Sequence, residues 1–352
     1  ARSICGLQLP VGPGITPGSG PGHLGLFGYD PLKYQVGRGV LSALGIGFDL
    51  RKGDIAARGN FCTVNDDGIV TDRRAGRIPT ERSAALCNKL RQKVALGGVE
   101  IFIQPVKEYR FLLVLRGPGL DARINDTDPL ETGKAPRPAQ SHFDTTQKTA
   151  RLINAFVEQA GNVLKDESPA NMVLLRGFSM LPSWPSVQDA FGLNGVAIAM
   201  YPMYRGVARL VGMDALPFSQ SLDEEVEKLE ENWDNYDFFF IHVKRIDSAG
   251  EDGNFAEKVA RIEEADALLP RILDLKPDVM VVTGDHSTPA KLRYHSWHPI
   301  PALLWAPTCR PDGVKAFNEN ACLSGGLGPR LPSQDLMPLM LGHAGRLGKF
   351  GA

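Results

Sequence analysis

The sequence is poor in cysteine and has no excess of charge of either sign. Its five cysteines form no C-x-x-C pair, so neither a disulfide framework nor a thiolate zinc site is expected, and a reducing, cytoplasmic setting follows. Lysine and arginine total 39, against 40 aspartates and glutamates. This balance provides no field of one sign to hold nucleic acid or an anionic membrane surface. The expected partner is therefore a small molecule.

Long apolar runs are also missing. No uninterrupted apolar stretch approaches the roughly 18 residues of a membrane span, and the first residues lack a basic region followed by an apolar core. No internal repeat or low-complexity tract is present, and 352 residues are enough for two domains. We therefore expect a soluble protein of two domains.

What the sequence does contain is a pair of apolar segments that lead into metal-binding residue types. Short β-branched or aromatic runs of this kind are typical of buried strands whose carboxyl ends open into a cleft. Oxygen and imidazole ligands without thiolate suit Mn²⁺, Mg²⁺ or Zn²⁺. The groups are Asp285 and His286 after residues 278–283, Asp247 and Glu251 after residues 236–243, and His295 with His298 soon afterwards.

The chain is organised in three blocks. Residues 1 to about 45 are rich in glycine and proline, and the loop at 17–23 leads into an apolar segment, which places Ser19 at a helix N-terminus. Free N–H groups and the helix dipole favour an anion there. Residues 46–168 contain short alternating strands, and they resemble a separate α+β domain with helices near 80–93 and 144–164.

Strands and helices alternate after Pro169. This alternation predicts an α/β fold, in which a mostly parallel sheet is flanked by helices and ligands bind at the carboxyl ends of its strands. One domain is then formed by residues 1–45 and 169–352, and residues 46–168 are inserted into it. We predict strands at 172–176, 196–200, 237–243, 278–283 and 302–305, and helices at 203–212, 221–233 and 254–275.

Four motifs together carry a resemblance to a known family. They are Gly-Ser-Gly-Pro-Gly-His-Leu at 18–24, Lys-Arg-Ile-Asp-Ser-Ala-Gly at 244–250, Thr-Gly-Asp-His-Ser at 283–287 and Asp-Leu-Met-Pro-Leu-Met at 335–340. Over nearly its whole length the sequence resembles the cofactor-independent phosphoglycerate mutases of the archaeal-type branch, within the alkaline phosphatase superfamily. The resemblance implies an alkaline phosphatase-like core with an inserted substrate-binding domain.

The resemblance also implies an activity and a set of metal ligands. That family interconverts 3-phosphoglycerate and 2-phosphoglycerate through a phosphoserine, with two divalent metal ions for which Mn²⁺ is the first expectation. By position, Ser19 resembles the nucleophile, Asp285 and His286 resemble ligands of the metal that binds this serine, and Asp247 and His295 resemble ligands of the other. Residue chemistry agrees, because a serine hydroxyl is a poor nucleophile until a metal lowers its pKa.

The sequence departs from the family pattern at three places. Glu251 stands where the family usually has histidine, and this harder ligand favours Mn²⁺ or Mg²⁺ over Zn²⁺. His298 stands where relatives often carry Asp or Asn, and we expect it to lie outside the direct metal ligands. An N-terminal strand ending in an aspartate ligand has no counterpart in the sequence as it stands, so either upstream sequence supplies it or this form is inactive.

Substrate-binding residues are predicted from the resemblance together with arginine chemistry. The planar fork of arginine matches both a phosphate and a carboxylate. A cluster of three arginines within five residues is stabilised by an anion, because its members repel one another. The predicted substrate-binding residues are Arg73, Arg74 and Arg77 of this cluster, with Arg116, Arg176 and Arg205, and the candidate general bases are Asp126 and Asp128.

Two alternative functions stay open at this point. A metal-dependent phosphatase or phosphonate hydrolase of the same superfamily would share the metal ligands but lack the clustered arginines, which favour the mutase. A non-catalytic metabolite-binding relative is suggested by Glu251 and by the missing N-terminal ligand. Metal content after exposure to Mn²⁺ would separate this last hypothesis from the two enzymes.

Overall fold

The computed structural model describes residues 2–141 and 143–351, and the chain forms two compact units. The first, named the split unit, consists of Ala1–Gln35 and Pro185–Ala352. The second, named the continuous unit, consists of Val36–Trp184. The predicted domain boundaries at 45/46 and 168/169 stay a prediction.

Helices and strands alternate along most of the chain. The first half contains β1 (Ser3–Leu9), α1 (Ser19–Leu26), α2 (Arg38–Gly45), β2 (Ile55–Val64), β3 (Val70–Asp72), α3 (Thr80–Lys93), β4 (Glu100–Lys107), β5 (Arg110–Arg116), α4 (Gln147–Leu164) and β6 (Met172–Ser179). The second half contains α5 (Val187–Phe191), β7 (Gly195–Ala199), α6 (Pro202–Leu210), β8 (Asp214–Ala215), α7 (Leu222–Glu231), β9 (Phe238–His242), α8 (Lys244–Glu251), α9 (Phe255–Asp274), β10 (Met280–Val282), β11 (Ile300–Trp305), α10 (Glu319–Cys322), β12 (Gly328–Pro332) and α11 (Leu336–His343). Within the described ranges, no helix is both long and apolar enough to cross a membrane.

The split unit contains two sheets. Strands β8, β7 and β9 form a parallel sheet in that order. Strands β10, β11, β1 and β12 form a mixed sheet, in which β11 is antiparallel to both of its neighbours. The prediction of one mostly parallel sheet therefore needs correction. Residues 283–299 contain no helix, and without a crossover helix the chain returns antiparallel from β10 to β11.

Helix α6 covers the parallel sheet with one apolar face. Its buried residues Tyr204, Val207 and Ala208, with Val211 just beyond its end, follow the spacing i, i+3, i+4, i+7. Strand β7 is buried along its whole length, as expected of the central strand of a parallel sheet. This packing holds Tyr204 against the residues that end β9.

The continuous unit is built on one antiparallel sheet. Strand β2 lies between β5 and β6, β4 pairs with β5, and β3 pairs with the end of β2. Alternate residues of β5, Phe111, Leu113 and Leu115, enter the same apolar core as Ile153 and Phe156 of α4. Apolar residues recur at every second position in the strand and at every third or fourth position in the helix, and both sets pack into a single core.

Candidate active site

Chemically reactive side chains meet at the carboxyl ends of β9 and β10 in the split unit. Strand β9 ends at His242, and Asp247 lies in the first turn of α8, which follows almost directly. Asp285 and His286 come shortly after β10, and Ser19 is the first residue of α1. Because carboxyl ends of strands are where α/β proteins bind ligands, this group is the candidate active site.

Ser19 contacts the unprotonated nitrogen of His286. Ser19 Oγ lies 3.1 Å from His286 Nε2, and both residues are buried. Thr288 Oγ1 donates its only proton to Asp247 Oδ1, at 2.6 Å, so His286 Nδ1 is the donor in its 3.0 Å contact with Thr288 Oγ1. Burial lowers the pKa of His286 to about 4, which keeps the ring neutral. The lone pair of Nε2 therefore faces Ser19.

His295 adds a second imidazole to the same place. Its ring stacks on His286 with 3.6 Å between the ring centroids. Its Nε2 lies 3.8 Å from Asp247 Oδ1 and 3.7 Å from Glu251 Oε1, and the interaction with the Glu251 carboxylate raises the pKa of His295. Asp247, His286 and His295 each offer a ligand atom within 4.8 Å of the other two.

Asp285 lies between two further buried histidines, His23 and His242. His23 Nδ1 is 2.7 Å from the carbonyl oxygen of Ser19 and 3.2 Å from Asp285 Oδ2. His242 Nε2 is 3.8 Å from Asp285 Oδ1. Burial acts to raise the pKa of Asp285, but the two imidazoles hold it well below its usual range. Asp285 is therefore an anion within a buried site.

Lys244 and Tyr204 contact the carboxylate and imidazole groups of this site. Lys244 forms an ion pair with Asp247 and lies 6.0 Å from the centroid of the Tyr204 ring. The Tyr204 ring stacks on His23 at 4.5 Å and packs on His242 at 4.0 Å between centroids. Such contacts restrict the rotamers of both imidazoles, and so they fix the position of the Asp285 carboxylate.

A separate polar group lies in the continuous unit. Arg73 donates two hydrogen bonds to Asp128, from Nε to Oδ1 at 3.0 Å and from Nη2 to Oδ2 at 2.7 Å. Arg176 Nε lies 3.5 Å from Asp128 Oδ2. Asp126 is partly exposed, and its Oδ1 accepts a hydrogen bond from Gly177 N at 2.7 Å. The structure thus brings together Arg73, Arg176 and Asp128.

Arg74 and Arg77 lie exposed on a left-handed turn. Three successive residues, Ala75, Gly76 and Arg77, have φ values of 47°, 63° and 56°. The Asp72 carboxylate accepts hydrogen bonds from the backbone N–H groups of Arg74 and Gly76, at 2.7 and 2.6 Å, and holds the turn. Positive φ at Ala75 and Arg77 costs free energy, and such strain clusters at functional sites.

Two other predicted substrate arginines have different surroundings. Arg116 donates hydrogen bonds to both oxygens of Asp54, at 2.8 and 2.7 Å, and to the carbonyl oxygen of Asp49 at 2.8 Å. Arg205 belongs to the split unit and lies over the ring of Phe218, 3.9 Å from its centroid. Arg205 is 6% exposed, its Nε has no hydrogen-bond partner in the described part of the chain, and burial lowers its pKa.

Comparisons with known proteins identify the family. A sequence profile described as 2,3-bisphosphoglycerate-independent phosphoglycerate mutase matches residues 1–171. A Thermus thermophilus protein named "probable 2,3-bisphosphoglycerate-independent phosphoglycerate mutase" is 51% identical over 355 residues, which cover 100% of this chain and 87% of the relative. The chain belongs to the family of 2,3-bisphosphoglycerate-independent phosphoglycerate mutases. The predicted resemblance is confirmed.

Solved structures agree with membership in this mutase family. The cofactor-independent phosphoglycerate mutase of Thermoplasma acidophilum matches with a TM-score of 0.71 and 28% identity over 98% of this chain and 89% of that structure. A Pyrococcus horikoshii protein matches with a TM-score of 0.83 and 28% identity over 100% of this chain and 89% of that structure. Mutases are isomerases, so the chain belongs to a family of isomerases.

The residues of the split unit fit the divalent metal that membership in this mutase family implies. His286 Nε2 presents a lone pair, and Asp247 and His295 offer ligand atoms at the same place. Asp285 Oδ2 is buried and has no hydrogen-bond partner among the described residues. Carboxylate oxygens and neutral imidazoles are suitable ligands for Mn²⁺, Mg²⁺ or Zn²⁺. His298 is exposed and contacts Ser296 Oγ at 2.9 Å. It belongs neither to the group of Asp247, His286 and His295 nor to the group of His23, His242 and Asp285.

His23 and His242 are two residues of this site that the sequence did not predict. Both are buried in regular elements, where a histidine is usually a core residue. A usable signal was the spacing of four between Ser19 and His23, because residues i and i+4 share one face of a helix. The signal for His242 was its position as the last residue of a strand that leads to Asp247.

Proposed function

We propose that this mutase interconverts 3-phosphoglycerate and 2-phosphoglycerate through a phosphoserine at Ser19. The observation that carries the proposal is the 3.1 Å contact between Ser19 Oγ and the lone pair of His286 Nε2, at the first residue of a helix. Free N–H groups at a helix N-terminus favour a phosphate. The names of the relatives supply the substrate class, a phosphoglycerate.

We propose two divalent metal ions, with Mn²⁺ first and Mg²⁺ or Zn²⁺ as alternatives. Mn²⁺ is placed first because Glu251 adds a hard oxygen ligand. One ion would be held by Asp247, Glu251 and His295, and the other by Ser19, Asp285 and His286. When bound, the ions would lower the pKa of the Ser19 hydroxyl and offset the charge of the phosphate.

The chain's own residues would carry the phosphoryl group and the proton in turn. The Ser19 hydroxyl first releases its proton to solvent, and Oγ then attacks phosphorus as the bond from phosphorus to the C3 oxygen breaks. A carboxylic acid, Asp126 or Asp128, gives its proton to the C3 oxygen and then takes the proton of the C2 hydroxyl. The C2 oxygen attacks the phosphoserine, and Ser19 Oγ leaves.

Arginines would retain the glycerate between the two transfers. We propose Arg73, Arg74, Arg77 and Arg176 for this role, supported by their clustering on the continuous unit, and Arg205 as a phosphate contact on the split unit. The orphaned Nε of Arg205 supports an anionic partner, since a buried guanidinium without a hydrogen-bond partner is costly. We leave Arg116 out, because Asp54 and Asp49 already accept its hydrogen bonds.

We further propose that the split unit is an alkaline phosphatase-like core and the continuous unit an inserted substrate-binding domain. The chain order supports this, since the continuous unit interrupts the split unit between Gln35 and Pro185. A crystal structure of the protein would check this arrangement.

The test of the function is mutase activity in three proteins with defined metal. Wild type, Ser19→Ala and Ser42→Ala are stripped of metal and assayed with 3-phosphoglycerate before and after addition of Mn²⁺ or Zn²⁺. Ser42 is a matched control, because it is also buried on a helix and its hydroxyl donates a hydrogen bond to the Arg38 carbonyl oxygen. We expect Mn²⁺-dependent activity in wild type and Ser42→Ala. Near wild-type turnover in Ser19→Ala would exclude the mechanism.

A further inference from the structure

Asp128 is a buried carboxylate enclosed by hydrogen-bond donors in the continuous unit. Its side chain has no exposed surface. Arg73 donates to both of its oxygens, the backbone N–H of Leu130 donates to Oδ1 at 2.9 Å, and Arg176 Nε lies 3.5 Å from Oδ2. A general base needs an oxygen that a substrate hydroxyl can reach. Asp128 offers no such oxygen.

Asp126, two residues earlier, has the opposite surroundings. It is partly exposed, Gly177 N donates to its Oδ1, and its other oxygen has no partner among the described residues. Between the two aspartates, buried Thr127 accepts a hydrogen bond from Leu175 N at 2.8 Å through its hydroxyl oxygen. The segment 126–128 is therefore fixed to β6, the strand that carries Arg176.

The charges around Asp128 do not cancel. One carboxylate contacts two guanidinium groups, so Arg73, Asp128 and Arg176 together keep a formal charge of +1. Arg73 uses Nε and Nη2 for Asp128, which leaves its Nη1 without an acceptor in the described part of the chain. Arg176 Nε is buried and makes no hydrogen bond there. An arginine that is already held in one rotamer loses less conformational entropy when it binds an anion.

We infer that Asp128 is a positioning residue, which orients Arg73 and Arg176 toward an anionic group of the substrate and leaves the proton transfer to Asp126. The inference rests on the proposed mutase function. The sequence left either aspartate as the candidate general base. The inference assigns that role to Asp126 and the positioning role to Asp128.

The test compares Asp128→Asn with Asp126→Asn in steady-state mutase kinetics and in calorimetric titration with 3-phosphoglycerate. Asp128→Asn should raise KM and the Kd of 3-phosphoglycerate roughly tenfold or more, because charge-assisted hydrogen bonds to the substrate are weakened. Its kcat should fall by less than about threefold. Asp126→Asn should lower kcat by about 10² or more with little change in Kd. The reverse pattern would overturn the inference.

If Asp128→Asn does not fold, a double variant tests the inference instead. In Asp128→Asn/Arg73→Gln, two neutral amides replace the ion pair, so the formal charge of the cluster stays at +1, on Arg176. We expect its kcat to match that of Arg73→Gln alone, with a similarly raised KM. A kcat about 10² lower than that of Arg73→Gln would identify Asp128 as the base and would contradict the inference.

Wild type, measured in the same assays, separates the two claims. Wild-type protein that neither binds nor isomerises 3-phosphoglycerate would overturn the proposed function and this inference with it. Normal wild-type behaviour with unchanged KM and Kd in a folded Asp128→Asn would overturn the inference alone.

Discussion

At the scale of single residues, burial decides which side chains carry charge. Asp285 stays ionised inside the split unit because His23 and His242 flank its carboxylate. Glu225 on α7 is buried as completely, and burial raises its pKa to about 8, against which Lys228 and the backbone of Met200 act only in part. Glu225 is therefore protonated at neutral pH and carries charge only under alkaline conditions.

Glu225 should make the protein less stable as pH rises. A carboxyl group whose pKa is about 8 when folded and 4.5 when unfolded binds its proton more tightly in the folded chain. Its contribution to stability is therefore complete below pH 4.5 and is lost as pH rises to about 8. Glu225→Gln should remove this loss. At pH 9 the free energy of unfolding of Glu225→Gln should exceed that of wild type by roughly 2 to 4 kcal/mol.

Urea unfolding at pH 6, 7.5 and 9 measures this effect. The matched control is Glu227→Gln, because Glu227 lies exposed on the same helix. A difference between wild type and Glu225→Gln that stays constant from pH 6 to pH 9 would show that Glu225 does not titrate in this range.

The sequence predicts which residues belong to the candidate site better than it predicts which of them contact one another. Asp285, His286 and Asp247 stand out because charged or imidazole groups directly follow apolar strands. The proximity of His295 to His286 depends on how the loop 287–295 folds back, and no local pattern encodes a ring contact of 3.6 Å. The contrast between Asp126 and Asp128 is equally invisible in sequence, since it depends on which of them Arg73 reaches.

At the scale of elements, helix α1 is held against the loop that carries Asp285. Gly22 lies on the contacting face, where an added Cβ would approach the Asp285 carbonyl oxygen to 2.2 Å. A helix that carries Ser19 at its first residue can thus approach the loop of Asp285 and His286 only because position 22 has no side chain. The absence of a side chain at Gly22 therefore sets the distance between Ser19 and the residues Asp285 and His286.

Gly22→Ala should push α1 away from Asp285. We expect a loss of roughly 1 to 3 kcal/mol in unfolding free energy and a Mn²⁺ affinity at least about tenfold weaker, measured by urea unfolding and by calorimetric titration. Gly97→Ala serves as the control, since a Cβ there meets no atom within 4 Å. Mn²⁺ affinity in Gly22→Ala equal to that of wild type would show that the close approach is not needed for the site.

Helices with a clear apolar face were predictable, and short strands were less so. The predicted helix at 80–93 is confirmed as α3, and the one at 144–164 corresponds to α4 with a 3₁₀ turn before it. The predicted strand at 278–283 is shorter in the structure, at Met280–Val282. Strand ends depend on pairing with β11, which is distant in sequence and leaves no local signal.

At the scale of the whole molecule, the alternation of strands and helices predicted the fold class but not the sheet order. Parallel pairing of β7 with β9 follows from the helices between them. Strand β11 lies between β10 and β1 and is antiparallel to both. This order depends on pairs of residues that are far apart in sequence, such as Cys5 with Leu303. The spacing of apolar residues within one segment does not predict pairing between strands so far apart in sequence.

The central claim is that phosphate passes through Ser19, and trapping the phosphoenzyme tests it most directly. Wild type with Mn²⁺ is mixed with 3-phosphoglycerate, quenched in acid within one turnover, digested and analysed by mass spectrometry, with Ser19→Ala treated alike. The account predicts one phosphoryl group on the peptide that contains Ser19, formed before 2-phosphoglycerate accumulates and absent from Ser19→Ala. Formation of 2-phosphoglycerate at the full rate with Ser19 unmodified throughout would contradict it.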